Sequence, residues 1–408
     1  MPHMATRSFG TRWPWKRVRR ALGLTLWLAT FIAAGTEKTL EREKPEKPAG
    51  SEHTCAVLVA GGAKCWGANF SGQLGDGTNV NRNTPVPVSG LAGSVSVVAS
   101  GSEHTCALST GGAAVCWGAN FSGQLGDGTN LNRNTPVGVS GLSGGVSALA
   151  AGSEHTCAVT AGGVKCWGAN FSGQLGDGTN VNRNAPVGVP GLSGSVTSIA
   201  AGSAHMCALT TDGSIWCWGA NFSGQLGDGT NVNRNTPVRV SGLLGGVSEV
   251  AAGSEHTCAL TRGGALACWG ANFSGQLGDG TNVNRNSPVM IVSGLSRNVT
   301  RIAAGSEHTC AAVPGGVKCW GANFSGQLGD GTNVNRGTPV NVFGITGGVS
   351  EIVAGSSHTC ALSTSGAMVC WGANFSGQLG DGTNLNRSTP IDVPGLPTVR
   401  PSVRTRIL

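Results

Sequence analysis

The sequence predicts an all-β fold, a seven-bladed β-propeller whose blades are four-stranded antiparallel sheets of about 51 residues. The segment NFSGQLGDGTN recurs unchanged in seven consecutive units, from residues 69–79 to residues 374–384, and the tryptophan before it recurs every 50 or 51 residues. Glycine accounts for 68 residues and charged side chains for only 12% of the chain, which is typical of short strands and tight turns. Units of this kind bury their faces only against neighbouring units.

Each unit after the first contains four strand signals in a fixed order. In the second unit they are VSVVAS (95–100), HTCALS (104–109), AVCWGA (114–119) and TPVGVSG (135–141), separated by a Gly-Ser turn, a Gly-Gly turn and a long loop rich in Gly and Asn. A linear solenoid of the same units is the alternative architecture, but it needs distinct capping repeats at both ends. We therefore favour the closed ring.

The first unit lacks one strand signal. It starts at SEHTCAV without the β-branched run that precedes this motif in every later unit. A ring can supply the missing strand from the other terminus, so the propeller is assigned to residues 51–396 and residues 397–408 form a tail that is a candidate ring-closing strand. Residues 40–50 are the alternative source of that strand.

The N-terminal segment, residues 1–35, resembles an export signal. A positive stretch (12–20) precedes an uncharged, mostly apolar run (21–35) that ends in small residues suited to signal peptidase. The run has 15 residues, fewer than the roughly 20 that cross a bilayer as a helix. We expect a cleaved signal peptide, with an uncleaved anchor or a fortuitous match as alternatives, followed by a charged linker over residues 36–50.

The charge of the chain is unevenly distributed. The net charge is +7, but residues 51–396 contain 14 basic and 16 acidic side chains, so the basic excess lies in the two terminal segments. Phosphate binding needs a clustered basic face. We therefore expect no nucleic-acid partner, and contact with a membrane only through an uncleaved N-terminal segment.

The repeat GSEHTCAL, followed by GG, CWGANFSGQLGDGT and TPV, resembles the repeat of the regulator of chromosome condensation family over residues 51–396. The resemblance implies a seven-bladed propeller, and the paired cysteines resemble the bacterial, secreted branch of the family. The eukaryotic namesake is a guanine-nucleotide exchange factor that acts through a wedge inserted in its propeller. No unit of this chain has an insertion longer than one or two residues. An exported bacterial relative inhibits a β-lactamase.

Two cysteines in each unit lie nine or ten positions apart on neighbouring strand signals. Opposed residues of an antiparallel pair have Cα atoms about 4.5 to 5.5 Å apart, within reach of a disulfide. The even cysteine count and the export signal favour seven disulfides, one within each blade. The pairs are Cys55 with Cys65, Cys106 with Cys116, Cys157 with Cys166, Cys207 with Cys217, Cys258 with Cys268, Cys310 with Cys319, and Cys360 with Cys370.

Other interpretations of these residues are less favoured. His104, Cys106 and Cys116 could form a metal set, but a structural zinc takes four ligands, and redox chemistry uses the absent Cys-x-x-Cys motif. The GDGTNVNRN loop resembles a calcium loop only loosely. We expect no metal and no other cofactor. The recurring histidines are interpreted as structural, each hydrogen-bonding the backbone near the edge of its blade, and the tryptophans as packing between blades. NFS is a glycosylation sequon only in a host that glycosylates it.

A near-identical unit repeated seven times argues against catalysis, which needs different residue types at one place, so we expect no enzyme. Identical loops place equivalent Asn and Arg groups around one rim and favour a symmetric or repeating partner. The candidate rim residues are Asn79, Arg82, Asn130, Arg133, Asn180, Arg183, Asn231, Arg234, Asn282, Arg285, Asn333, Arg336, Asn384 and Arg387.

The sequence therefore predicts a scaffold for an unidentified protein or a repeating polymer, located outside the cell, in the periplasm or on the cell surface. An exchange-factor-like regulator of a small GTPase and a secreted enzyme inhibitor are the alternative functions. A stable ring that binds nothing is a further alternative, because recent duplication alone makes loops identical.

Overall fold

The computed structural model describes residues 36–38, 51–91, 93, 95–192, 195–243, 245–291, 294–295 and 298–396, all within one compact unit. These residues form 28 strands and no helix. No helix able to cross a membrane is found among them. Consecutive groups of four strands are called blades 1 to 7.

The strands are β1 (Thr36–Lys38), β2 (His53–Val57), β3 (Ala63–Gly67), β4 (Arg82–Pro87), β5 (Val95–Ser100), β6 (His104–Ser109), β7 (Ala114–Gly118), β8 (Arg133–Gly138), β9 (Val146–Ala151), β10 (His155–Thr160), β11 (Gly163–Gly168), β12 (Arg183–Gly188), β13 (Val196–Ala201), β14 (His205–Thr210), β15 (Ile215–Gly219), β16 (Arg234–Arg239), β17 (Val247–Ala252), β18 (His256–Thr261), β19 (Leu266–Gly270), β20 (Arg285–Met290), β21 (Arg301–Ala304), β22 (His308–Val313), β23 (Gly316–Gly321), β24 (Arg336–Asn341), β25 (Val349–Ala354), β26 (His358–Ser363), β27 (Met368–Gly372) and β28 (Arg387–Asp392).

Each blade is a four-stranded sheet whose strands lie in chain order, and the first strands of neighbouring blades contact one another around the ring. The last contacts join β25 to β1 and β1 to β5, so the ring is closed. The structure confirms the seven-bladed propeller. Six blades are antiparallel throughout, whereas the first blade begins with a parallel pair.

The closing strand comes from the segment assigned to the linker. Strand β1 pairs with β2 in parallel, with Thr36 opposite Thr54 and Lys38 opposite Ala56. A parallel pair needs a connection of about a dozen residues or more, and residues 39–52 provide it. The other two proposed sources, residues 40–50 and 397–408, lie outside the residues that the structure describes, as does the export segment 1–35.

The position of a strand within its blade explains its composition. In the second strand, HTCALS of β6, the first five residues are buried because neighbouring blades cover both faces of the sheet. In the fourth strand, RNTPVG of β8, most residues are only partly buried. A proline in this exposed edge strand removes a hydrogen-bond donor from the edge and discourages pairing with another chain.

Each interface between blades has an apolar layer that a tryptophan completes. In one such cluster Leu108, the Cys106–Cys116 disulfide and Leu125 of blade 2 pack with Trp167 of blade 3, which is fully buried. All seven recurring tryptophans have no exposed surface. The structure therefore places them between blades, as the sequence predicted.

Candidate functional site

In blades 2 to 7 the turn between the first two strands and the long loop between the last two lie on one face of the ring, because neighbouring antiparallel strands run in opposite directions. In blade 2 these segments are residues 101–103 and 119–132. We call this side the loop face. It contains every NFSGQLGDGTN segment and all fourteen candidate rim residues.

A buried asparagine organises each loop. Asn69 has no exposed surface, and its side-chain amide donates hydrogen bonds to Asp76 Oδ1, Thr78 O and Val80 O, each at 3.1 Å. Its side-chain oxygen accepts a hydrogen bond from Leu74 N at 2.9 Å. This asparagine is the acceptor residue of the NFS sequon. Its burial in all seven loops makes the sequon inaccessible to glycosylation in the folded chain.

The candidate rim arginines fold back onto their own loops. Arg82 Nη2 lies 2.9 Å from Asp76 Oδ2. Partial burial raises the pKa of Asp76, but hydrogen bonds from Thr78, Arg82 and Asn69 outweigh it, so this pKa lies below its ordinary value. The same ion pair, at 2.8 to 3.0 Å, occurs in every loop: Arg82–Asp76, Arg133–Asp127, Arg183–Asp177, Arg234–Asp228, Arg285–Asp279, Arg336–Asp330 and Arg387–Asp381.

The candidate rim asparagines also bond within their loops. Asn79 Nδ2 donates to Phe70 O at 3.0 Å, and the equivalent bonds from Asn130, Asn180, Asn231, Asn282, Asn333 and Asn384 measure 2.7 to 3.1 Å. The structure thus gathers the fourteen residues on one face and gives their polar groups partners inside the fold. Their role in binding remains a prediction.

Two apolar side chains of each loop are strongly exposed, and the sequence did not predict this. Phe70 is 72% exposed and Val80 is 58% exposed. The two lie on adjoining backbone segments, because Phe70 O accepts the bond from Asn79. The recurrence of a phenylalanine in every one of the seven loops was the sequence feature that could have revealed this exposed apolar surface.

We call this set of exposed residues the apolar rim. It consists of seven phenylalanines at 69 to 72% exposure and seven aliphatic residues at 57 to 63%. Its members are Phe70, Phe121, Phe171, Phe222, Phe273, Phe324 and Phe375, with Val80, Leu131, Val181, Val232, Val283, Val334 and Leu385.

Hydrogen bonds join neighbouring loops into a continuous belt. Asn134 of blade 2 donates its side-chain amide to Gly77 O of blade 1 at 3.0 Å and accepts at its own carbonyl from Gly77 N at 2.9 Å. The same pair closes the ring between Asn83 and Gly382. A shallow polar cleft of about 420 Å³ lies between blades 4 and 5, and a similar one of about 400 Å³ lies between blades 2 and 3.

Beneath the loops, a buried chain of hydrogen bonds, which we call the histidine relay, links neighbouring blades at six of the seven interfaces. His104 Nε2 lies 2.9 Å from Thr156 Oγ1, and this hydroxyl donates to Gln124 O at 2.9 Å. Trp167 Nε1 donates to the same carbonyl at 2.9 Å. Because the hydroxyl has one hydrogen, His104 must be the donor, which fixes its proton on Nε2. Burial lowers the pKa of His104 to about 3, so the ring is neutral.

The histidines are therefore structural, as the sequence predicted, although six of the seven bond a threonine hydroxyl rather than the backbone. Six interfaces contain the relay: His53 with Thr105, His104 with Thr156, His205 with Thr257, His256 with Thr309, His308 with Thr359, and His358 with Thr54. Within the described ranges no group of three or more His, Cys, Asp or Glu could hold a metal ion.

The interface between blades 3 and 4 is the exception. Met206 occupies the threonine position, so His155 Nε2 has no hydroxyl partner across the interface. Ala204 occupies the glutamate position, so Ser172 cannot make the bond that joins Ser122 Oγ to Glu154 Oε2 at 2.7 Å in blades 2 and 3. Ser357 replaces the glutamate in the same way between blades 6 and 7, so this second difference is shared by two interfaces. The tryptophan bond remains, with Trp218 Nε1 donating to Gln174 O at 3.0 Å.

All seven predicted disulfides are present. The paired Cα atoms lie 4.0 to 4.1 Å apart, and no cysteine is free. The sulfur atoms bond each other across opposed positions of the second and third strands, such as Cys106 and Cys116. No cysteine thiolate is left to act as a metal ligand.

Family models match most of the repeats. The RCC1-like domain matches residues 144–406, and the Regulator of chromosome condensation (RCC1) repeat matches residues 61–108, 112–159 and 95–124. The first match alone covers more than half of the chain. The chain belongs to the RCC1-like domain family.

Known relatives of this RCC1-like domain differ widely in length. The ultraviolet-B receptor UVR8 of Arabidopsis thaliana is 35% identical over 351 residues, which are 85% of this chain and 68% of the receptor. The human E3 ubiquitin-protein ligase HERC2 is 34% identical over 300 residues, but the match spans only 6% of the ligase.

Solved structures share the fold. Human WBSCR16 superposes with a TM-score of 0.73 at 27% identity, covering 81% of this chain and 94% of that one. Prp20p from Saccharomyces cerevisiae, studied together with its binding to Gsp1p and histones, gives 0.71 at 23% identity and covers 88% of each chain. The likeness to Prp20p concerns the fold alone.

Proposed function

We propose that this RCC1-like domain is a non-catalytic binding scaffold that works in an oxidising compartment and contacts a protein or a repeating polymer through its loop face. The apolar rim is the observation that carries this proposal. Fourteen apolar side chains, two from each loop, are exposed on the loop face, and large exposed apolar patches in folded proteins mark interaction sites.

The seven disulfides support a location outside the cytoplasm, because cytosolic reductants keep most thiols reduced. Cleavage after Gly35 would leave Thr36 at the new N-terminus, which is where β1 begins. A signal peptide that ends there is compatible with the closed ring. Secretion from the cell, a periplasmic location and attachment to the cell surface are all consistent with the seven disulfides.

A protein is the better supported partner class. Prp20p is a structural neighbour whose binding properties to Gsp1p and histones have been characterised, so the same fold serves protein binding elsewhere. An exchange-factor-like role for this chain would require a cytosolic or nuclear location, which the disulfides do not favour. An enzyme inhibitor remains within the proposal, since it also binds a protein.

The test compares a rim variant with a matched control. Phe324 and Phe343 both belong to blade 6 and are 72% and 68% exposed, but only Phe324 lies in the apolar rim. We expect Phe→Ser substitution at Phe121, Phe222 and Phe324 to weaken binding of the purified chain to envelope and secreted fractions of its host by at least tenfold. Phe343→Ser should leave binding unchanged.

Equal binding by the rim variant and the control would refute the loop face as the contact surface. Circular dichroism and the melting temperature establish that both variants fold. Exposed Phe→Ser changes of this kind alter the free energy of unfolding by about 0.5 kcal/mol or less.

A further inference from the structure

We propose that the apolar rim binds a second copy of this chain, loop face to loop face. The inference rests on the proposed function, because it names the partner of the same surface. Three properties of the rim lead to it: its area, its sevenfold repetition and its charge.

The area of the rim is that of a protein interface. An aromatic side chain can bury about 150 to 250 Å². With seven phenylalanines about 70% exposed, the rim presents on the order of 1,000 Å² of aromatic surface, before its valines and leucines are added. A stable protein interface buries about 800 Å² per partner.

The sevenfold repetition of the apolar rim determines which kind of partner can cover all of it. The Phe–Val or Phe–Leu pair occurs once per blade in a closed ring, so only a partner with the same repetition can cover every pair. A second copy has that repetition. A twofold axis perpendicular to the ring axis makes the interface isologous, and the near-sevenfold symmetry offers seven nearly equivalent rotational registers. A globular partner without repeats would cover a few loops and leave the others exposed.

The ion pairs within the loops permit two copies to face each other. Each loop aspartate is paired with its own arginine, as Asp76 is with Arg82, so the loops present no uncompensated carboxylate. The neighbouring turns contain five glutamates, and each accepts a hydrogen bond from a loop serine: Glu52, Glu103, Glu154, Glu255 and Glu307. Facing copies bring these like charges together. Added salt should screen them and tighten the dimer.

The experiment measures the mass of the disulfide-linked chain in solution by sedimentation equilibrium. We expect a dimer at concentrations of about 10 µM, with a dissociation constant that falls as sodium chloride is raised from 50 to 500 mM. Substituting Phe70, Phe171, Phe273 and Phe375 by serine should raise the dissociation constant at least 100-fold. Phe343→Ser should not change it.

Other outcomes overturn the inference in different ways. A wild-type chain that is monomeric at 100 µM excludes the second copy, and so does a dimer that the four substitutions leave intact. If the monomer floats with phosphatidylcholine vesicles and the rim variant does not, the occupant is a lipid surface instead.

Hydrophobic-interaction chromatography separates this failure from failure of the proposed function. A monomeric wild-type chain that is retained longer than the rim variant still has an accessible apolar face, so the proposed function survives without the dimer. If the wild type and the rim variant elute together and both are monomeric, both proposals fail.

Discussion

The interface between blades 3 and 4 differs from the other six in its histidine contact and resembles them in its packing. Six interfaces have a histidine bonded to a threonine hydroxyl, whereas Met206 leaves His155 without that partner. Trp218 still bonds Gln174 O, and Met206 is fully buried in an apolar cluster with Trp218. The ring therefore closes wherever the tryptophan and the apolar layer are present, and the histidine relay is an addition to that layer.

Acidification should destabilise all seven interfaces between blades and produce the largest loss in the free energy of unfolding. Burial lowers the pKa of His53, His104, His205, His308 and His358 to about 3 and that of His155 and His256 to about 4, against 6.5 for an ordinary histidine. Below pH 6.5 the histidines of the unfolded chain therefore bind protons, whereas the buried histidines of the folded chain stay neutral. The free energy of unfolding should fall by about 1.4 kcal/mol per histidine for each pH unit until the folded pKa is reached.

Denaturant unfolding between pH 7 and pH 4.5 measures this loss. Stability should be full above pH 6.5 and should decline steeply below it. The variant His155→Leu removes one proton-accepting group without breaking a threonine bond, so its decline should be shallower by about one seventh. A free energy of unfolding that is unchanged from pH 7 to pH 5 would contradict neutral, buried histidines.

Removing a tryptophan should cost nearly as much at the exceptional interface as at an ordinary one. Trp167→Ala and Trp218→Ala each delete a fully buried ring and should lower the free energy of unfolding by about 3 to 5 kcal/mol. Urea unfolding of the two variants side by side makes the comparison. If Trp218→Ala costs less than about 1 kcal/mol while Trp167→Ala costs several, the packing layer is not what the seven interfaces share.

Exchanging methionine and threonine isolates the relay. Thr156→Met gives the interface between blades 2 and 3 the methionine that is found between blades 3 and 4. His104 Nε2 then lacks its partner at 2.9 Å, and the free energy of unfolding should fall by about 1 to 3 kcal/mol. Met206→Thr gives His155 a partner but loses apolar burial, so its net effect should lie within about 1 kcal/mol of zero. Thermal and urea unfolding report both values, and a neutral Thr156→Met would show that the relay adds no stability.

The serine–glutamate bond should give the smallest effect. Ser122→Ala removes the 2.7 Å bond to Glu154 and should cost about 0.5 to 1.5 kcal/mol. Ser172→Ala is the matched control, because Ala204 stands where the glutamate would be, and we expect no measurable change. Equal losses in the two variants would mean that the serine acts within its own loop rather than across the interface.

The sequence predicted the ring, the blade order and the disulfide pairing, because repeats and cysteine spacing depend on local geometry. It did not identify the apolar rim, since the outward position of Phe70 results from the burial of Asn69 among three loop acceptors. The polar composition of the loops instead predicted a binding role for Asn79 and Arg82, whose side chains form hydrogen bonds within their own loop. The sequence did not predict strand β1, because the segment TEK has little β-propensity. The position of β1 depends instead on the first strand that is missing from blade 1.

The most direct test of the account is the intact mass and free-thiol count of the chain, expressed with its own N-terminus in a bacterial host and recovered from each compartment. An exported, disulfide-linked ring predicts a mature chain that begins near Thr36, has no free thiols, is lighter by fourteen hydrogens than the reduced chain and is found outside the cytosol. An uncleaved cytosolic chain with free thiols would contradict export and disulfide formation together.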